Sequence, residues 1–480
     1  MNYRMTGRLL GYVLMLEAAL LLLPFLTAIV YRESILPFLF TMLILCAISA
    51  PAIFWMKPRN KRIFAKEGFV VVALSWILLS LFGALPFVFS GAIPHYIDAL
   101  FETVSGFTTT GATIMPDLDA APRSILMWRA FTHWIGGMGV LVFVMALIPS
   151  DGGRNIHLLR AEVPGPTKGK LVPRLRQTSL ILYSIYFVLT VIELLALLVA
   201  KLPFYDALIT AFSTAGTGGF GVLNTSIAGY NSPAVEWIVA IFMLLFGVNF
   251  SVIYLVLLRK FRDIFKNSEL RVYLLLAIGA TTAIAINTFS LYETAGEAIR
   301  TAFFTVTSTM STTGFVVFDY GTWPGFSKAL IILLMIVGAS AGSTAGGMKV
   351  SRVMILLKNM VREFKHMLRP NSVNRVKMDG DTLEEETVRS ASNYLIMYAF
   401  AMVISFIFIS IDGMTIETNL TAVLSCINNV GPVMGTITPF GNLAEYSAFS
   451  KIILSLDMLF GRLEFLPMFI LFNPATYIRN

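Results

Sequence analysis

Long apolar runs separated by short polar gaps set the pattern of this chain. Residues 69–91, 237–258, 272–292 and 394–411 contain no charged residue, and each approaches or exceeds the roughly 20 residues a helix needs to cross a bilayer. Residues 9–30, 36–56, 124–148, 178–200, 327–348 and 452–472 are similar runs with at most a few polar or charged interruptions. The pattern predicts ten spanning helices in an all-α polytopic membrane protein. The first run follows Arg4 and Arg8, but no small-x-small cleavage site comes before Ser34, so it is expected to remain as a helix.

Composition agrees, since 56% of the 480 residues are hydrophobic and 13% are charged. The net charge of +8 brings nucleic acid to mind, but the placement of the bases argues otherwise. Of the 36 Lys and Arg, 28 fall at the two ends and in the alternate gaps 57–66, 154–176, 259–271 and 349–389. This is the positive-inside pattern of a membrane protein with both termini in the cytoplasm. The other gaps hold Asp98, Glu102, Asp117, Asp119, Asp206, Glu293, Glu297, Asp319 and Glu417, an acidic face that concentrates cations. Cys46 and Cys426 lie far apart and the four histidines are scattered. Neither a disulfide nor a metal centre is expected, and without a nucleophile elbow the chain does not read as an enzyme.

Four short segments in the acidic gaps share one register. SGFTTTG (105–111), STAGTGG (213–219), STMSTTG (308–314) and SCINNVG (425–431) each place five residues between a serine and a glycine. The seven residues before each serine also correspond: DALFETV, DALITAF, TAFFTVT and TNLTAVL. Asp98, Asp206, Thr301 and Thr418 are suitable N-caps and predict helices of about two turns, too short to cross. The chain thus divides into two N-terminal helices (1–66) and four repeats at 67–150, 174–260, 270–366 and 388–480. Every repeat begins and ends on the basic side. Four parallel copies of helix, short helix, glycine turn and helix can therefore close into a ring around an axis normal to the bilayer.

Gly216, Gly218 and Gly221 also spell G-x-G-x-x-G. A dinucleotide site needs a strand before these glycines and an acidic residue about 20 positions on. Here a short membrane helix precedes them, and the other copies keep only the equivalent of Gly219, so the match is a coincidence. Non-helical backbone at membrane depth is tolerated where it lines a wet cavity. A ring of four turns with carbonyls aimed at the axis supplies the oxygen cage that replaces a cation's hydration shell. Glycine passes through φ > 0 without strain, which explains Gly111, Gly219, Gly314 and Gly431. The preceding residues Thr110, Gly218, Thr313 and Val430 complete the cage through their backbones, because their side chains differ.

On these motifs the sequence resembles the bacterial Trk/Ktr potassium transporters, relatives of the HKT proteins of plants. The resemblance covers residues from about 69 to the C-terminus, and the two extra N-terminal helices resemble the TrkH/TrkG branch. It implies a pseudo-fourfold pore in the bacterial cytoplasmic (inner) membrane, with potassium as the transported ion and no organic cofactor. It makes Thr110, Gly111, Gly218, Gly219, Thr313, Gly314, Val430 and Gly431 the selectivity filter. Glycine in all four copies implies potassium selectivity, while the absence of T-V-G-Y-G implies a shorter filter than that of tetrameric potassium channels. A sodium- or proton-coupled symporter is the alternative, with Glu193 the one intramembrane carboxylate left open for coupling.

Two further features sit below the filter. Residues 337–348 read VGASAGSTAGGM, a poor helix in which Gly338, Gly342, Gly346 and Gly347 each cost about 1 kcal/mol against alanine. Overlapping G-x-x-x-G pairs allow close helix packing; the other reading is a broken helix whose loop lies under the filter, and the resemblance implies such a loop as a gate. Arg462 lies mid-span without a same-face carboxylate, either facing the pore as a barrier or paired with an acid on another helix. The resemblance places an arginine of the last helix in the pore. Arg129 and His133 are also intramembrane and read at least as well as structural pairs. The mixed-charge segment 349–389, with Asp379, Asp381, Glu384, Glu385 and Glu386, reads as solvated surface. The resemblance makes it, together with 154–176, a docking surface for a TrkA-type cytosolic ring that binds NAD and ATP, and it implies a homodimer.

Overall fold

The computed structural model describes residues 1–56, 65–139, 175–372 and 374–476. Nearly all of the basic stretch 154–176, most of 57–66, the end of the run 124–148 and Arg479 lie outside these residues. Apart from a two-residue antiparallel pair, Lys377–Met378 with Asp381–Thr382, the regular structure is helical. Six stretches among the described residues are long and apolar enough to span: Tyr3–Tyr31, Leu36–Trp55, Lys66–Ser90, Ser179–Val199, Ser268–Leu291 and Glu385–Asp412. Their outward positions, such as Phe187, Leu275, Ile278, Phe400 and Ile407, are exposed apolar side chains, as a lipid-facing surface requires.

The first two helices pack on each other and on the first repeat, where Trp76, Phe87, Phe101, Phe107 and Trp128 are fully buried together. Trp128 satisfies its indole N–H on the carbonyl of Gly83 at 2.9 Å. A second cluster joins the third repeat to the end of the second, through Val248 and Val252, and to Val430 and Met434 of the fourth.

The short helices are longer than their sequence suggests. They run Tyr96–Phe107, Phe204–Gly216, Ala295–Met310 and Ile416–Ile427, three to four turns instead of two. Thr294 and Thr415 cap the third and fourth, their hydroxyls accepting from Glu297 N (3.2 Å) and Thr418 N (3.3 Å). Thr301 and Thr418 therefore lie inside their helices, and Asp98 and Asp206 occupy first turns. There each carboxylate faces the positive end of the helix macrodipole without being the cap.

The second helix of every repeat stops early: Arg123–Gly137, Pro233–Phe246, Gly325–Val337 and Ala448–Leu463. The runs 237–258 and 452–472 are thus not the continuous spans the hydropathy predicts. In the second repeat the chain turns by 98° between Phe246 and the helix Phe250–Leu257. Asn249 restarts it by accepting the Ser251 N–H at 2.8 Å. In the fourth, Glu464 adopts φ 64 and separates Ala448–Leu463 from Phe465–Phe472. In the third, residues 338–349 are not helical at all, which disposes of packing through G-x-x-x-G on a continuous helix.

These breaks answer one another. Ser340 N donates to Gly247 O (3.1 Å), Phe250 N donates to Gly342 O (3.1 Å), and the Thr344 hydroxyl donates to Phe246 O (3.3 Å). The loop of repeat three therefore fills the bend of repeat two, and each supplies partners that broken backbone needs away from water.

Candidate functional site

Each short helix ends in the same cap. In the first copy Thr109 N donates to Gly106 O and Thr110 N to Ser105 O; the second, third and fourth repeat both bonds from Thr217 and Gly218, Thr312 and Thr313, and Asn429 and Val430. This is the Schellman pattern, which places the left-handed residue just past the helix. Thr109, Thr217, Thr312 and Asn429 hold it at φ 55–57. Gly111, Gly219, Gly314 and Gly431 follow at φ 81, 76, 81 and 101. Sequence reasoning assigned positive φ to the glycines alone and missed the residue two places earlier. Three of these four are threonine, a β-branched residue for which the left-handed region is a strained choice. The common serine also finds its role here. Its carbonyl closes the cap in all four copies, while the hydroxyls of Ser105, Ser213 and Ser425 are buried without a hydrogen bond among the described residues.

The four turns close on each other in cyclic order. A Cβ on Gly111 would strike the carbonyl oxygen of Gly218, one on Gly219 that of Thr313, one on Gly314 that of Val430, and one on Gly431 would lie 2.7 Å from that of Thr110. Each glycine is therefore required by the backbone of the next copy as well as by its own φ. The structure brings together all eight residues singled out from the sequence. The C-terminal ends of four helices converge on them, adding their negative partial charge to the carbonyls.

Side chains brace the ring unequally. Asn429 Nδ2 donates to Thr110 Oγ1 and to Met458 O, both at 2.9 Å. Thr108 and Thr110 share a hydrogen bond of 2.8 Å, and Ser311 and Thr313 one of 2.7 Å. Arg129 is paired, as the structural reading expects: its Nε donates to Glu102 at 2.5 Å. Glu102 in turn accepts from Thr113 Oγ1 (3.0 Å) and Ile114 N (2.9 Å) on the far side of the first turn. Glu193 is fully buried on the first helix of repeat two, beside Thr214 of the second short helix.

Beneath the ring, the loop 338–349 is buried except at the half-buried Gly342. Gly346 N donates to Thr312 Oγ1 at 2.6 Å, and a Cβ on Gly346 would collide with Asn428 O. Gly338, Gly342 and Gly347 take φ 67, 69 and 77, whereas Gly346 needs no positive φ. Glu269 receives Ala341 N at 2.7 Å and Ser351 N at 3.2 Å, anchoring both ends of the loop. Nothing in its own sequence neighbourhood marks that role. Arg462 donates to Thr344 O (2.7 Å), Gly136 O (2.5 Å) and Gly137 O (2.7 Å), so it joins the loop to the end of the second helix of repeat one. Lys349 and Arg352 are buried as well, with Arg352 2.5 Å from Glu464. The segment 349–389 is thus not solvated surface from its start.

This arrangement matches known proteins over its whole length. A family model described as TrkH, cation transport protein, matches residues 37–477. The chain belongs to the TrkH family. Among its relatives, the Trk system potassium uptake protein TrkH of Salmonella typhimurium is 34% identical over 484 residues, covering 99% of this chain and 100% of that protein. TrkG of Escherichia coli, also called a Trk system potassium uptake protein, is 32% identical over 479 residues, with 98% of each chain covered. The crystal structure of the potassium transporter TrkH from Vibrio parahaemolyticus superposes with a TM-score of 0.88 at 29% identity, covering 100% of both chains. The TrkH family assignment agrees with the all-α polytopic fold and with the resemblance drawn from the glycine register.

Proposed function

We propose that this chain takes up potassium across the bacterial cytoplasmic membrane, through the ring formed at Thr110–Gly111, Gly218–Gly219, Thr313–Gly314 and Val430–Gly431. The observation that carries the reading is the cyclic contact of each glycine with the carbonyl of the next copy. Four backbones meeting edge to edge leave carbonyl oxygens as the groups nearest the axis, and these replace water around a bare cation. The names of the relatives point to potassium. Potassium would run down its electrochemical gradient, an inside-negative potential contributing about 2.3 kcal/mol per charge per 100 mV. The basic gaps put both termini in the cytoplasm.

The loop 338–349 is the gate in this reading, and Arg462 its latch. One guanidinium ties the loop, through the Thr344 carbonyl, to the Gly136 and Gly137 carbonyls of repeat one, so loss of Arg462 unties the loop from that helix while Glu269 still holds its ends. A cytosolic NAD- and ATP-binding ring docked near 349–389 would move it, and two such chains would form a homodimer with a pore in each.

The test is rubidium tracer uptake into liposomes holding only the purified chain, driven by a potassium gradient with sodium and pH gradients absent. Uptake that sodium barely competes with is the expected result. Uptake appearing only on adding a sodium or proton gradient overturns the passive pore in favour of coupled symport.

A further inference from the structure

Copy two departs from the others at one place in the ring: Thr110, Thr313 and Val430 carry side chains, whereas Gly218 has none. The space is not empty. A Cβ on Gly218 would fall on the imidazole ring of His133, against Cγ, Cδ2 and Nδ1. His133 comes from the second helix of copy one and is fully buried. Its Nδ1 lies 2.7 Å from the carbonyl oxygen of Gly106; a carbonyl only accepts, so Nδ1 carries the hydrogen. That same carbonyl receives the Thr109 N–H in the cap of copy one. The ring of His133 stacks on Phe220, centroids 4.0 Å apart. The guanidinium of Arg129, one turn earlier, lies 3.4 Å from the centroid of Phe220 and donates to Gly221 O at 3.2 Å.

We infer that His133 is a positioning residue for the ring, an imidazole from copy one replacing the side chain that copy two lacks at Gly218 and fixing two neighbouring turns at once. The inference rests on reading the ring as the cation site. A purely space-filling residue would need only volume. His133 also supplies a donor to a carbonyl already engaged in the first cap, so a directional bond within copy one orients the ring that packs against Gly218 and Phe220 of copy two. Cation discrimination depends on the placement and field of the ring carbonyls, and a shift of one turn changes it without unfolding the protein.

The experiment measures thermal unfolding of the purified full chain in detergent across potassium chloride and sodium chloride titrations at constant ionic strength, which reads cation binding whether or not the gate is open. Wild type is expected to be half-saturated at a lower concentration of potassium than of sodium. His133→Leu, which keeps bulk and loses the donor, should narrow that ratio about fivefold, the worth of one hydrogen bond of about 1 kcal/mol. His133→Gln, which keeps a donor, should hold it within about twofold. Gly218→Thr should collapse the ratio, and Gly218→Thr with His133→Ala should recover it, because the threonine then occupies the vacated space. A folded His133→Leu with the wild-type ratio, or a double variant no better than Gly218→Thr, overturns the inference. Gly111→Ser separates the two levels. If it alters the ratio while the His133 variants do not, only the positioning role falls; if it too leaves the ratio unchanged, the ring is not the cation site and the inference falls with it.

Discussion

The ring and the breaks below it use the same four repeats in opposite ways. At the ring every copy has the same cap, the same two left-handed residues and the same contact with its neighbour. Below it the second helices stop in all four copies but continue differently: a 98° bend in copy two, a buried loop in copy three, a single φ 64 residue in copy four. Symmetry is kept where backbone carbonyls act, because equal oxygens need equal conformations. It is lost where side chains act, because Arg462, Glu269 and Asn249 each answer backbone groups that only one copy presents in that way. A residue of the ring should therefore govern which ion passes, and a residue of the breaks how fast.

Replacing a ring glycine should have the largest effect. Gly219→Ser puts a Cβ onto the Thr313 carbonyl at φ 76, and at an expected 1–2 kcal/mol or more for the left-handed conformation alone it should lower discrimination against sodium about tenfold. Sodium competition with rubidium uptake checks it, and an unchanged ratio would remove the distinction between the two regions. Arg462→Ala comes next. Losing three bonds from one charged group, each worth about 1.5–3 kcal/mol before relaxation, should loosen the loop and raise flux about tenfold with the ion ratio unaltered. Tracer flux from a folded variant that is equal or slower would sink the latch. Glu464→Gln should raise flux more modestly, by about two- to fivefold, since its partner Arg352 keeps a neutral acceptor; the same flux assay applies. The smallest effect is expected of Thr294→Ala, which removes a cap of about 1 kcal/mol from the third short helix and should lower the melting temperature by a few degrees at most, with flux and ratio intact.

Much of the ring was legible because its signal is local. A serine, five residues and a glycine encode a helix end, a cap and a positive φ, all fixed within one turn of chain. The position of the left-handed threonines was not legible, since threonine in that conformation contradicts its own preference and is held there by the closed ring. Arg129 could be recognised as intramembrane but not matched to Glu102, 27 residues away. The start of the short helices was misjudged where Asp98 and Asp206 look like caps but serve as first-turn charges.

By itself the sequence determined the membrane class and the fourfold register of serine and glycine at the turns that meet, because burial in lipid demands long apolar runs and a repeated backbone turn demands a repeated glycine. Tertiary structure alone decided what those elements meet. The loop of copy three enters the bend of copy two, Arg462 finds carbonyls 118, 325 and 326 residues away, and His133 fills the space over Gly218. Such pairings depend on which backbone groups are left unsatisfied once helices break in a medium without water, and that is settled only when the whole chain has closed around its axis.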